Sequence, residues 1–197
     1  MNLVERAKNI IVTPKTEWQA VATEEPNIQQ ILLGYVLPLA LIPTIATIIG
    51  WGAIGILGFT SFSYGIAMGL VQLINAFLSV LIAGFVIDAL AGSFGSTKNL
   101  GRAIQLVAYS LTPVWVAGIL NILPAIGWLA FLLGLYAIFL LYQGLTPLMN
   151  TPEDKRVVYL IVSIVVLIAV YWIITLILTA IFFAIFGLSI LSAMSTY

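Results

Sequence analysis

Apolar positions along this chain come in blocks too long for a strand and too continuous for a surface helix. They run from Ile31 to Gly52, Ile66 to Leu90, Ala103 to Leu120, Ala125 to Leu145 and Val157 to about Leu188. A helix needs roughly 20 apolar residues to cross a bilayer core of about 30 Å, so the pattern predicts an all-α bundle of five spans. The connections differ in kind. "GAIGILGFTSFSYG" (52–65) is uncharged and rich in Gly, Ser and Thr, as suits a turn near the far membrane surface. "NILP" (121–124) is tighter. Asn121 ends one helix and Pro124 starts the next, because proline at a first helical position lacks only an amide that had no partner. The fifth block gives about 48 Å of helix. It must tilt, protrude or break near Gly187, and a short sixth span beyond that glycine is the alternative.

Residues 1–30 behave differently. Leu3, Val4, Ala7, Ile10 and Ile11 share one helical face, with Glu5, Arg6, Lys8 and Asn9 opposite. Pro14 stops that helix and begins a second, with Thr13 as its cap. Trp18 and Val21 give the second helix an apolar side, and Trp18 is the expected interface anchor. This arm either lies in the membrane interface or packs beneath the bundle. Acidic residues interrupt it and no apolar core precedes Ile31, so it does not read as a signal peptide.

Charge then orients the bundle. Lys and Arg number seven, as do Asp and Glu. All fall in three clusters: Glu5 to Glu25, then Asp88 with Lys98 and Arg102, then "EDKR" at 153–156. Five spans put all three clusters on one side, and positive loops stay in the cytoplasm. The expectation is a bacterial-type cell-membrane protein with its N-terminus inside and its C-terminus outside. Composition agrees with membrane as solvent: 62% of residues are hydrophobic and 7% charged, against about 25% charged in soluble domains.

Candidate chemistry is sparse. With no Cys and no His, thiol nucleophiles, thiolate metal sites and the commonest general base are gone. Asp88 at a span end and Asp154 in a loop do not make a pair of aspartates within spans. No cofactor is expected, and nothing suggests nucleic acid. Gln72, Asn75 and Ser79 share a face of the second span, beside "GIAMG" (65–69), a small-xxx-small pair that lets helices approach closely. They are read either as a polar path or as glue between helices. Glue is preferred, because amides in spans commonly bond across helices. Gln105, Tyr109, Ser110 and Thr112 precede Pro113, which leaves the Tyr109 carbonyl without its amide and predicts a bend. Asp88 is expected to pair with Arg102 or Lys98 at the membrane surface; a proton or cation site is the alternative reading.

"TPKTEWQAV", the first span "GYVLPLALIP", and "AYSLTPVWVAGILNILPAIGWLAFLLGLYAIFLLYQGL" followed by "TPEDKRVVY" together resemble the Yip (Ypt-interacting protein) domain family of five-span membrane proteins. The resemblance covers almost the whole chain: a cytoplasmic arm at 1–30 and a transmembrane domain at 31–197. The acidic Leu-Tyr-Gly-Pro motif of the eukaryotic branch is absent, so binding of small GTPases does not carry over. Membership implies a non-enzymatic role. The expected function is membrane organisation or scaffolding through helix packing and the arm, in contact with the lipid bilayer and with other membrane proteins or further copies of the chain. The alternative is a small channel or a transporter of ions, solutes or lipids.

Overall fold

Among the described residues, five helices are long and apolar enough to cross a membrane: Ile28–Ile54, Phe62–Phe94, Leu100–Ile122, Leu129–Met149 and Glu153–Ile181. They are numbered here as spans 1 to 5. The computed structural model describes residues 2–194, with side chains to Ile181. Among the described residues the only β-type pairing is an isolated bridge between Ile56 and Phe59, in the hairpin joining spans 1 and 2.

Two helices make the arm: α1 (Leu3–Val12), capped by Asn2, and α2 (Pro14–Ala22), with proline in its first turn. Span 1 opens on α3 (Ile28–Ile31), passes through a π-turn at Leu32–Val36 and continues as α4 (Leu37–Ile49). Span 2 is α5 (Phe62–Ala91) with a short 3₁₀ extension at Gly92–Phe94. Span 3 is α6 (Leu100–Ser110) followed by α7 (Thr112–Ala117). Span 4 is α8 (Leu129–Gly134) followed by α9 (Tyr136–Met149), and span 5 is α10 (Glu153–Met194). The backbone of α10 runs through Gly187 without a break. Its side chains there, and residues 195–197, lie outside the described residues.

Span 2 is the hub, packing against spans 1, 3 and 5. Lipid tails are as apolar as leucine, so helices in a membrane gain little by hiding apolar surface from each other; close packing and hydrogen bonds hold them instead. The seams of this bundle follow that rule. A Cβ on Gly65 would stand 2.9 Å from the Ile48 carbonyl oxygen, and one on Gly69 would stand 3.1 Å from that of Thr44. Gly84 makes the same kind of room for Ile104, and Gly118 for Pro43.

Helix ends extend past the apolar blocks because caps are polar. Ser61 accepts from the Tyr64 amide at 3.3 Å and Asn99 from that of Arg102 at 3.0 Å, so spans 2 and 3 begin earlier than apolarity alone indicates. Span 4 begins later, at Leu129. Pro124 starts no helix: it bars the preceding residue from helical backbone, Leu123 is extended (φ −109°, ψ 93°), and a further turn follows before α8.

Span 3 bends where Pro113 removes an amide. α6 stops at Ser110, Leu111 sits at φ −80°, ψ −1°, and α7 resumes at Thr112. The stranded Tyr109 carbonyl accepts the Thr112 hydroxyl at 2.6 Å. With its proton so committed, Thr112 Oγ1 accepts from the Tyr35 hydroxyl at 2.7 Å, which ties the bend to span 1.

Gly65→Ala tests the first seam. Its Cβ would meet backbone, which cannot rotate aside, so stability should fall by about 1–3 kcal/mol. Thermal unfolding in detergent measures this, with Gly92→Ala as a neutral control, since there a Cβ meets only the flexible end of Lys98 at 3.5 Å.

Candidate functional site: the arm and its cradle

Arg6 comes three residues after Leu3 and four before Ile10, the spacing that keeps it at the edge of their helical face, and α1 buries Arg6 with Ala7 and Ile10. The guanidinium is therefore carried inside, where an unpaired charge is costly. Three groups answer it. Nη1 donates to Glu17 Oε1 at 2.7 Å, Nη2 donates to Glu24, and the cation stands 5.5 Å over the Tyr109 ring. The Arg6 and Glu17 side chains are each only 6% exposed. Glu17 reaches Arg6 because Pro14 turns the chain between α1 and α2 and folds them into a hairpin.

The hairpin runs along spans 3 and 4 rather than flat beneath them. At one end, the Arg102 guanidinium donates to the Val21 carbonyl at 2.8 Å and the Ala22 carbonyl at 3.0 Å. These are the last residues of α2, where free carbonyls gather and the helix dipole attracts a cation. At the other end, the Tyr136 hydroxyl donates to the Ile11 carbonyl at 2.9 Å. Tyr136 and Met149 bound α9, so the contact lies about 20 Å along span 4 from its Met149 end. Between them, Trp18 packs where Gly144 has no side chain: a Cβ there would stand 2.9 Å from the indole.

Several sequence expectations are placed differently. Trp18 is 1% exposed and is no interface anchor; Gly144 opens a socket for it inside the protein. The arm neither lies flat in the interface nor packs beneath the bundle, the two readings its sequence offered; it packs along the sides of spans 3 and 4. Asp88 does not pair with Arg102, because the α2 carbonyls and Gln105 Oε1, at 3.3 Å, take that guanidinium. Lys98 is exposed, lies beside Gly92, and forms no ion pair with Asp88 among the described residues. Asp88 Oδ1 is buried without a hydrogen-bond partner among those residues.

The amides of span 2 face two neighbours. Gln72 Oε1 accepts from Thr47 of span 1 at 2.9 Å, and Thr47 accepts from Asn121 at 3.3 Å. Asn75 donates to Thr175 of span 5 and accepts from Ser79 at 2.6 Å. These residues therefore do not line one continuous file. Tyr109, Thr112 and Pro113 do meet at one place, the bend of span 3, and Tyr109 also floors the arm's cradle. Sequence reasoning missed Arg6, Glu17, Glu24, Tyr35 and Tyr136 as a set. The available signal was a charge at core spacing on each arm helix: Arg6 between Leu3 and Ile10, and Glu17 beside Trp18 and Val21.

The docked arm and Arg6 border a cleft of about 310 Å³ lined by the α2–α3 linker and by spans 1 and 3. Five apolar helices joined by glycine seams and inter-helix amides, with a charged hairpin folded on them, define a polytopic α-helical membrane protein. A model of the Yip1 domain matches residues 8–175, and the chain belongs to that family. No curated protein and no solved structure matches it.

Arg6→Met should leave Glu17 buried and unpaired, at a cost of about 3–5 kcal/mol. Hydrogen exchange across α1 and α2 should rise well before the spans unfold. Protection equal to wild type in both helices would mean that the ion pair does not hold the arm.

Proposed function

We propose that this Yip1-domain protein is a non-enzymatic organiser of membrane, working through its packed spans and the arm docked on them. The supporting observation is how the intramembrane polar groups are used. Thr47, Gln72 and Asn121 hold spans 1, 2 and 3 together, and Asn75 with Thr175 holds spans 2 and 5. A conducting protein needs polar groups left facing a common path; these are consumed in pairs that face different neighbours. The arm then offers a folded surface to other membrane proteins or to further copies of the chain.

Reconstituted in sealed vesicles, the protein should pass ions and small solutes no faster than protein-free vesicles. Flux that depends on protein and falls in Asn75→Leu would favour the channel or transporter reading instead.

In this reading the chain is a bacterial-type cell-membrane protein that keeps its N-terminus and its charged loops in the cytoplasm. Lys98, Arg102, Lys155 and Arg156 all fall in the loops and first turns at one end of a five-span bundle, and basic loops are retained inside. A reporter active only outside the cell should work when fused after Tyr197. A cytoplasm-only reporter active at that position would reverse the assignment.

A further inference from the structure

We propose that Arg156 binds the phosphate of an anionic phospholipid where spans 4 and 5 meet at headgroup level. The proposal does not depend on the organiser reading above.

The first ground is a cation that the protein holds with neutral groups alone. Arg156 Nη2 donates to the Tyr142 hydroxyl at 2.6 Å, Nη1 donates to Thr146 Oγ1 at 3.3 Å, and the guanidinium stands 4.1 Å over the Tyr142 ring. These contacts fix its orientation, but none brings a negative charge. Nε is buried and has no acceptor among the described residues. The other two arginines are answered differently. Arg6 has Glu17 and Glu24, and Arg102 has the carbonyls that end α2. Glu153 and Asp154 are close to Arg156 in the chain, yet both are exposed and neither pairs with it among the described residues. A half-buried guanidinium without an anion is costly, and each Nη keeps one N–H unspent among those residues. A phosphate oxygen would accept from them in a charge-assisted bond.

The second ground is depth. Thr146 and Tyr142 belong to the last two turns of α9, which ends at Met149. The guanidinium therefore lies about 5–10 Å inside that end, in the headgroup layer rather than in the cytosol. Leu135, Ile138 and Phe139 continue the Tyr142 face of span 4 toward the membrane interior, and all three are exposed. Val157 and Ile161 are exposed on span 5. Acyl chains thus have an apolar bed next to a cation that suits the headgroup. An acidic protein segment would supply the anion but not fill this bed.

The third ground is the sign of the surroundings. Lys155 is exposed beside the loop that joins spans 2 and 3, its Nζ 3.7 Å from where a Cβ on Gly95 would stand, and it too has no ion pair among the described residues. Both cations stand in the first turn of α10, whose dipole is itself positive there, so helix stability does not account for their place. A zwitterionic headgroup brings an ammonium that these cations repel. A headgroup of net negative charge does not. Glycerol phosphate would bring the same anion without acyl chains, and the experiment separates the two.

The full chain, purified and stripped of lipid, is offered equal amounts of phosphatidylglycerol, phosphatidylethanolamine and phosphatidylcholine with matched acyl chains. Native mass spectrometry then reads what stays bound. Phosphatidylglycerol should be retained in preference to both others. Arg156→Gln should lower its retention about tenfold, the loss of one charge-assisted contact. Lys8→Gln, which removes the same charge from the exposed side of the arm, should bind as wild type does; an equal loss there would mean diffuse attraction and no site. Arg156→Gln also removes contacts between spans 4 and 5, so the wild-type chain supplies a separate reading. Phosphatidylglycerol with a photoreactive group on its acyl chain should cross-link within residues 135–161. Cross-links confined to other spans, equal retention of the three lipids, or undiminished retention in Arg156→Gln would each overturn the site. Displacement by soluble glycerol phosphate at the lipid's own concentration would overturn the lipid as its source.

Discussion

The carbonyl of Tyr109 has lost the amide four residues on, because a proline stands there, and in hydrocarbon no water comes to replace it. The Thr112 hydroxyl bonds to it, and the hydroxyl's own oxygen then draws in Tyr35 from another span. That relay fixes two things at once. It sets the angle between α6 and α7, and it brings Tyr35 to within 4.5 Å of Tyr109, ring to ring. The two rings floor the cradle over which Arg6 lies. A local defect in one helix thus becomes the platform for a long-range contact, and the arm's position follows from a proline about a hundred residues away.

Elsewhere the bundle is held by removal rather than addition. Glycines at 65, 69, 84, 118 and 144 each clear the space that a neighbour fills. Close backbone approach multiplies small dispersion contacts, which matter more here than apolar burial does. The arm obeys the logic of a soluble protein instead. Ile10, Trp18 and Val21 are buried, and its buried charges, Arg6 and Glu17, are paired with each other. Two packing regimes therefore meet along spans 3 and 4, and Gly144 serves both, admitting Leu106 from a span and Trp18 from the arm.

The five spans were legible because a bilayer imposes a length, and a run of apolar residues displays it. Their limits were less so, since Ser61 and Asn99 extend helices with polar caps that an apolar count excludes, and Pro124 acts on Leu123 rather than opening a helix. The bend at Pro113 and its remedy at Thr112 could be read locally, since the stranded Tyr109 carbonyl, the hydroxyl and the proline fall within about one helical turn. The cradle could not. Arg6 looks like an ordinary polar-face residue until Pro14 brings Glu17 back to it. Asp88 and Arg102 look like partners across a short loop until the end of α2 competes for the same guanidinium. Tertiary neighbours that decide a charge's partner leave no mark on the spacing of either residue.

The fifth span stands apart in how little of it the others enclose. Its described part is the least buried of the five. Among the described residues Tyr159 is the one fully enclosed side chain it gives to the continuous core, and its polar attachments to span 2 there are the Tyr159 hydroxyl on the Ile87 carbonyl and the contact of Thr175 with Asn75. Bend and cradle are built from residues that precede it, and so is nearly all of the core. A ribosome feeding this chain into the membrane releases it after the segments that form those features have already emerged. Synthesis and assembly can then proceed in the same direction, with the fifth span added against a surface that is already in place.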